Sequence, residues 1–207
     1  MCKPAIREDR VSADHATGAA ARQYQVEGGR QLARRAFALL VMAATPADWA
    51  RAGDVAGQAS VIDGDTIEIH GTRVRLYGID APEHDQLCRD PHGGHYRCGQ
   101  VAANALGAFI GRQTVACVEV DRDRYGRSVA VCSVGNIDLA DWLVRGGLAI
   151  DWPRYSKGDY APAEAVARSK QSGMWSGRFV EPWRYRQCVG AGGGPNACSA
   201  EEMGGQR

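Results

Sequence analysis

From residue 54 onward, the alternation of apolar and polar positions reads mostly as strand. "TIEIH" (66–70) puts Ile67 and Ile69 on one face. "TRVRLYGI" (72–79) puts Val74 and Leu76 on one face and Arg73, Arg75 and Tyr77 on the other. His70-Gly71 separates the two runs as a turn, so together they form a hairpin. "VAGQASVID" (55–63) alternates more weakly, and "QTVACVEV" (113–120) and "RSVAVCSV" (127–134) are two further strands joined by the charged turn "DRDRYG".

Three runs change period from two to 3.6 and read as helix. In "GQVAANALGAFIGR" (99–112) the apolar face is Val101, Ala105, Leu106, Phe109 and Ile110. "IDLADWLVRGG" (137–147) is a short helix capped by Asp138 and stopped by its glycines. "APAEAVARSKQSGMW" (161–175) carries Pro162 in its first turn and Gly173 as its stop, with Trp175 a core residue. Short strands interrupted by one helix suggest a small Greek-key barrel, with the OB-fold the natural candidate. The expected class is therefore α+β, mainly β: a five-stranded OB-fold Greek-key barrel with helices. Residues 187–207, with "GAGGGPNACSAEEMGGQR", look too rich in glycine and polar residues to pack and are expected to be a flexible tail.

The first 52 residues break the pattern. A basic run, an apolar run from Ala36 to Ala44 and small residues ending Ala50-Arg51-Ala52 have the layout of a secretory signal peptide. The preceding leader is unusual for one, which suggests true initiation near Val26. The domain layout expected is thus a leader at 1–52, a folded domain at 53–186 and the tail at 187–207. No apolar run reaches the roughly 18 residues of a membrane span, so no membrane anchor is expected in the mature form. A monomer is expected.

Composition sharpens this picture in two ways. The formal charge of the whole chain is +1, but residues 1–52 hold 8 of the 25 Lys+Arg and 5 of the 24 Asp+Glu, leaving the remainder at −2. No global positive field draws in nucleic acid, so phosphate recognition must rest on a few placed arginines or a metal. Apart from Cys2 in the leader, the chain has six cysteines, at 88, 98, 117, 132, 188 and 198. An even number fits an oxidising compartment and a secreted or periplasmic protein. Sequence neighbours suggest the pairs Cys88–Cys98, Cys117–Cys132 and Cys188–Cys198. The cluster Cys88, His92, His95 and Cys98 also has spacing that could hold structural zinc.

The chemistry concentrates in the hairpin. Asp63 and Asp65 flank Gly64 at one end, and Asp80 and Glu83 straddle Ala81-Pro82 at the other. Folding about His70-Gly71 brings Asp65 close to Asp80, while Gly78 and Pro82 bend the chain from the sheet. Unpaired acids there repel one another, and a bound cation relieves that cost. An oxygen-only donor set suits Ca²⁺ or Mg²⁺ rather than zinc. Arg75 and Arg127 can contact a phosphate bidentately, and a spare carboxylate can orient or deprotonate a water. Together these are the requirements of phosphodiester hydrolysis.

"VIDGDTIEI", "RLYGIDAPE", "DRYGR" and "YSKGDYAPAEAVARSKQSGMW" resemble the thermonuclease, or staphylococcal-nuclease-like, family, in its order and over roughly residues 53–183. The resemblance implies an OB-fold barrel with three helices and a Ca²⁺-dependent nuclease acting on DNA and RNA to leave 3′-phosphate products. It implies that Asp65 and Asp80 bind Ca²⁺ with the backbone carbonyl of Ala81, where many relatives carry threonine. It makes Glu83 the general base, Arg75 and Arg127 the phosphate clamp, and Asp63 a supporting acid. Arg124 and Tyr125 match positions near the terminal phosphate of the substrate. Trp152, Tyr155 or Tyr160 is a candidate to stack a base or sugar, with a plain core place the other reading of Tyr160. The alternative is a non-catalytic OB-fold that binds nucleic acid or a protein partner, against which the complete set of acids and arginines argues.

Overall fold

In this computed structural model residues 54–200 are described. The leader, the signal-peptide expectation, the alternative start, Cys2 and residues 201–207 lie outside the described residues. In chain order the elements are β1 (Val55–Asp63), β2 (Thr66–Ile69), β3 (Thr72–Leu76), β4 (Ile79–Asp80), β5 (Leu87–Arg89), β6 (His95–Arg97) and α1 (Cys98–Ile110). They continue as β7 (Thr114–Arg122), β8 (Ser128–Val134), β9 (Ile137–Asp138), α2 (Leu139–Arg145) and β10 (Ile150–Asp151). The last are α3 (Pro153–Ser156), α4 (Ala161–Ser169), a 3-10 turn at Gly173–Ser176, α5 (Pro182–Gly190) and α6 (Pro195–Cys198).

Strands β3, β2, β1, β7 and β8 pair in that order, and a parallel β3–β8 pairing closes them into a five-stranded barrel. This is the OB-like α+β fold that the alternation predicts. The β2–β3 hairpin pairs Ile69 with Thr72, which leaves His70 and Gly71 as a two-residue loop, both at the positive φ such loops favour. Ile67, Ile69, Val74 and Leu76 are buried together inside the barrel, as their alternation requires. Helix α1 adds Leu106 and Ile110 to that core, but Val101 is exposed and Ala102 takes the buried place in its turn. Among the described residues no helix is long and apolar enough to cross a membrane.

Helix α2 is capped as its sequence suggests: the Asp138 carboxylate accepts from the backbone N–H of Ala140 at 2.7 Å and of Asp141 at 3.3 Å. Helix α4 starts at Ala161 but stops at Ser169, short of Gly173. Gln171 turns left-handed (φ 51°), and the backbone N–H of Met174 bonds to the Gly147 carbonyl, so this stretch leaves the helix to pack against the end of α2.

Two expectations about the cysteine-bearing loops are corrected or decided here. Cys88–Cys98, Cys117–Cys132 and Cys188–Cys198 are disulfides, the middle one joining directly opposed residues of β7 and β8. With Cys88 and Cys98 bonded to each other, the zinc reading of that loop falls; His92 and His95 are exposed. The segment read as too polar to pack is packed over residues 187–200. It finishes α5, forms α6 and buries Tyr185 and Cys198 against Val180. The disulfide supplies the constraint that so few apolar residues cannot.

Candidate active site at the barrel rim

The backbone around the acids is brought close by glycine at two points. A Cβ on Gly64 would lie 2.7 Å from the Ala81 Cβ and 3.0 Å from that of Ala102, so only glycine lets the Asp63–Asp65 turn press onto the second acid-bearing loop. A Cβ on Gly99, at the start of α1, would lie 2.0 Å from the Glu83 carbonyl oxygen. The Glu83 backbone is fixed further by fully buried Gln86, whose side-chain oxygen accepts from the Glu83 N–H at 3.2 Å.

On this frame Asp65 and Asp80 meet, both buried, with one guanidinium nitrogen of Arg75 between them. Arg75 Nη2 lies 2.8 Å from Asp65 Oδ2 and 3.0 Å from Asp80 Oδ1. A second arginine completes the cluster. Arg186, from α5, donates to both oxygens of Asp80, at 2.9 and 2.8 Å, and to Glu83 Oε1 at 2.8 Å. Trp152 lies beside both guanidinium groups, 6.0 Å from Arg75 and 5.3 Å from Arg186. Trp183 of α5 stacks on it at 5.8 Å.

Sequence reasoning missed Arg186, because the domain was expected to end at that residue. The available signal was its setting: Trp183, Tyr185 and a pairing Cys188 within a few residues mark a segment that docks.

Burial pushes the Asp80 carboxyl up to about 6, with the Asp65 charge adding to the rise and both arginines opposing it. Asp63 is raised as well, first by burial and then by the charges of Asp65 and Glu83. Arg186 is held above its usual range: burial lowers it, but the hydrogen bond and charge of Asp80, with those of Glu83, outweigh that loss. Four acids thus face two guanidinium groups, leaving negative charge at the rim.

That residual charge and the all-oxygen donors of Asp65, Asp80 and the Ala81 carbonyl fit a hard cation. Among the described residues no three His, Cys, Asp or Glu side chains form a ready-made metal shell. Both oxygens of Asp80 already accept from arginine, so an ion there shares them or displaces a guanidinium.

The other candidates are distributed around this cluster. Arg127 is not drawn into it: its Nε donates to Asp123 Oδ2 at 2.6 Å and its backbone N–H to Asp123 Oδ1 at 3.0 Å. Burial raises Asp123, yet these bonds and one from the Tyr125 N–H hold its carboxyl below the usual range. The parallel register sets Arg127 one residue before the Val74–Ser128 pair, hence on the same side of the strands as Arg73 and Arg75. An open groove of about 600 Å³ runs there, lined among others by Arg73, Arg122, Tyr125 and Arg127. Tyr125 is exposed at the turn, with the Arg124 guanidinium over its ring at 4.8 Å. Tyr155 is half exposed beside Trp152, ring centroids 4.5 Å apart. Of the two readings of Tyr160 the structure has the core one: it is buried, packs edge-on to Tyr77, and donates its hydroxyl to Asp138 at 3.1 Å.

A family model for staphylococcal nuclease homologues matches residues 73–177. That span includes Arg75, Asp80, Glu83 and Arg127, whereas Asp63, Asp65 and Arg186 lie outside it. The chain is 40% identical over 168 residues to the succinoglycan biosynthesis protein ExoI of Rhizobium meliloti (strain 1021), covering 80% of this chain and 88% of that protein. It is 34% identical over 175 residues to Protein ParB of Escherichia coli, covering 74% of this chain and 90% of that protein. It is 32% identical over 170 residues to the micrococcal nuclease of Shigella flexneri, covering 73% of this chain and 90% of that protein.

Proposed function

The chain belongs to the staphylococcal nuclease homologue family, and from that premise we propose that it is a Ca²⁺-dependent nuclease. It cleaves phosphodiester bonds of DNA and/or RNA and leaves 3′-phosphate ends. The observation that carries this reading is the meeting of Asp65, Asp80, Arg75 and Glu83 at one barrel rim, two buried acids beside one half-exposed one. Asp65, Asp80 and the Ala81 carbonyl hold the ion, which when bound offers its charge to the phosphoryl oxygens. Glu83 orients the attacking water and takes its proton. Arg75, joined by Arg127 on release from Asp123, offsets the charge that builds on the phosphoryl oxygens. Asp63 supports the acids, Arg124 and Tyr125 meet the terminal phosphate, and Trp152 and Tyr155 offer ring faces to a base or sugar. Three disulfides support a secreted or periplasmic setting.

Digestion of single-stranded DNA and of RNA, with Ca²⁺ and with EDTA, tests the reading. Cleavage is expected with Ca²⁺ and none after chelation. Glu83→Ala should lower kcat by about 10²–10⁴-fold, and Arg127→Ala by about 10²–10³-fold. Full activity in Glu83→Ala would remove that residue from the mechanism.

The relative named for succinoglycan biosynthesis favours a second reading, a part in succinoglycan biosynthesis without nucleic-acid cleavage. Failure of the purified chain to digest either nucleic acid at any Ca²⁺ concentration would remove the nuclease reading and leave this one standing beside the non-catalytic binding module.

A further inference from the structure

Arg186 does two things at once that no other described side chain is seen to do: it bonds both oxygens of Asp80 and also one oxygen of Glu83. We propose that Arg186 is a positioning residue of the active site, fixing Glu83 relative to Asp80, and that the disulfide-bonded C-terminal segment is therefore part of the catalytic apparatus. This rests on the nuclease reading above.

The geometry suits that role. A guanidinium is planar and presents its donors as a rigid fork, so two carboxylates bonded to one fork are fixed in distance and in angle. Glu83 needs such help. Its side chain is about one-third exposed, at 36%, and the Gln86 bond and the close approach of Gly99 hold its backbone rather than that side chain. With Oε1 held by Arg186, Oε2 is left to accept the proton of a water. The positive charge also offsets the repulsion between Asp80 and Glu83, which would otherwise drive Glu83 away from the rim.

Arg186 is itself anchored. Trp183, one turn earlier in α5, stacks on Trp152, and Tyr185 is buried beside the Cys188–Cys198 disulfide. The segment docks on the Glu83 loop through two further bonds. Gln86 Nε2 donates to the Val180 carbonyl at 2.6 Å, and the Leu87 N–H donates to Ser199 Oγ at 2.9 Å. Gln86 thus holds the Glu83 backbone with one end of its amide and the C-terminal segment with the other.

The test is steady-state cleavage of a single-stranded DNA oligonucleotide in saturating Ca²⁺ by the whole chain. Arg186→Ala should lower kcat by about 10²-fold with KM changed little. Arg186→Lys should recover only part of the loss, because a point charge cannot span two carboxylates. In a Glu83→Gln background, Arg186→Ala should cost far less than it does alone, since it acts through Glu83. The same loss in both backgrounds, or an equal rise in KM, would make Arg186 a substrate contact or a mere structural prop. An unchanged or raised kcat would make it a dispensable or inhibitory counter-ion. Either outcome overturns the proposal while leaving the nuclease reading intact. A wild-type chain that cleaves nothing removes the reading and the proposal together. Far-UV circular dichroism establishes folding of each variant, and Arg186→Gln replaces Arg186→Ala in the comparison if the latter does not fold.

Discussion

The barrel and the C-terminal segment meet at the same acids but are held together by different forces. The barrel rests on one large apolar cluster, with Ile67, Ile69, Val74, Leu106 and Leu139 fully buried. The segment from Val180 to Ser199 has a small cluster of Val180, Tyr185 and Cys198, with Cys188 packed against it, and depends on a disulfide and a few polar bonds. A site assembled from both has a stiff half and a tethered half. The tethered half contributes a charge, Arg186, to acids that the barrel carries.

The largest expected effect tests the stiff half. Leu106→Ala empties a fully buried position between α1 and the barrel and should destabilise the chain by about 2–5 kcal/mol. Urea unfolding followed by far-UV circular dichroism should show one transition shifted as a whole. If instead the barrel keeps its midpoint and only a minor phase moves, α1 is not part of the main core.

Next comes the tether. Replacing Cys188 and Cys198 together by serine releases a loop closed over a sequence separation of 10. The chain-entropy estimate for such a loop is roughly 3 kcal/mol. Because this disulfide packs within the small cluster and not within the barrel core, the effect should be local. Limited proteolysis should open the chain after about residue 186, while the barrel's urea midpoint stays near that of the wild type. Loss of the barrel transition in this variant would erase the distinction between the halves.

This contrast also explains what could be read from the sequence and what could not. The hairpin was legible because a strand has a period of two: once Ile67, Ile69, Val74 and Leu76 face inward, Arg75 must face out and the ends bearing Asp65 and Asp80 must meet. Asp138 was legible as a cap because its job is local. Arg186 was not, because its partners are 103 and 106 residues away and its helix has too weak an apolar face to announce a docking direction. The end of α4 failed for a similar reason. It stops before Gly173, at a left-handed Gln171, and the chain beyond is held by a bond from Met174 to Gly147, in the turn after α2. Tyr160 shows the same limit from the other side: a tyrosine in a motif-rich stretch can equally be a core ring with one hydrogen bond.

The smallest expected effect lies on the border between the two halves. Arg168, at the end of α4, donates to Glu164 Oε1 at 2.6 and 3.0 Å and lies over the Trp175 ring at 4.2 Å. Its side chain is 55% exposed, so solvent and salt screen the ion pair. Arg168→Ala should therefore cost only about 0.5 kcal/mol for the pair, with the ring contact adding about as much. Glu164 keeps its other oxygen on the Asp151 N–H, at 2.8 Å, so β10 should not loosen when the arginine is removed. Urea unfolding at low and at high salt measures both parts: salt should shrink the difference between the variant and the wild type without abolishing it. A cost of several kcal/mol would mean that the border is a structural joint, and that the barrel and the segment stand or fall together.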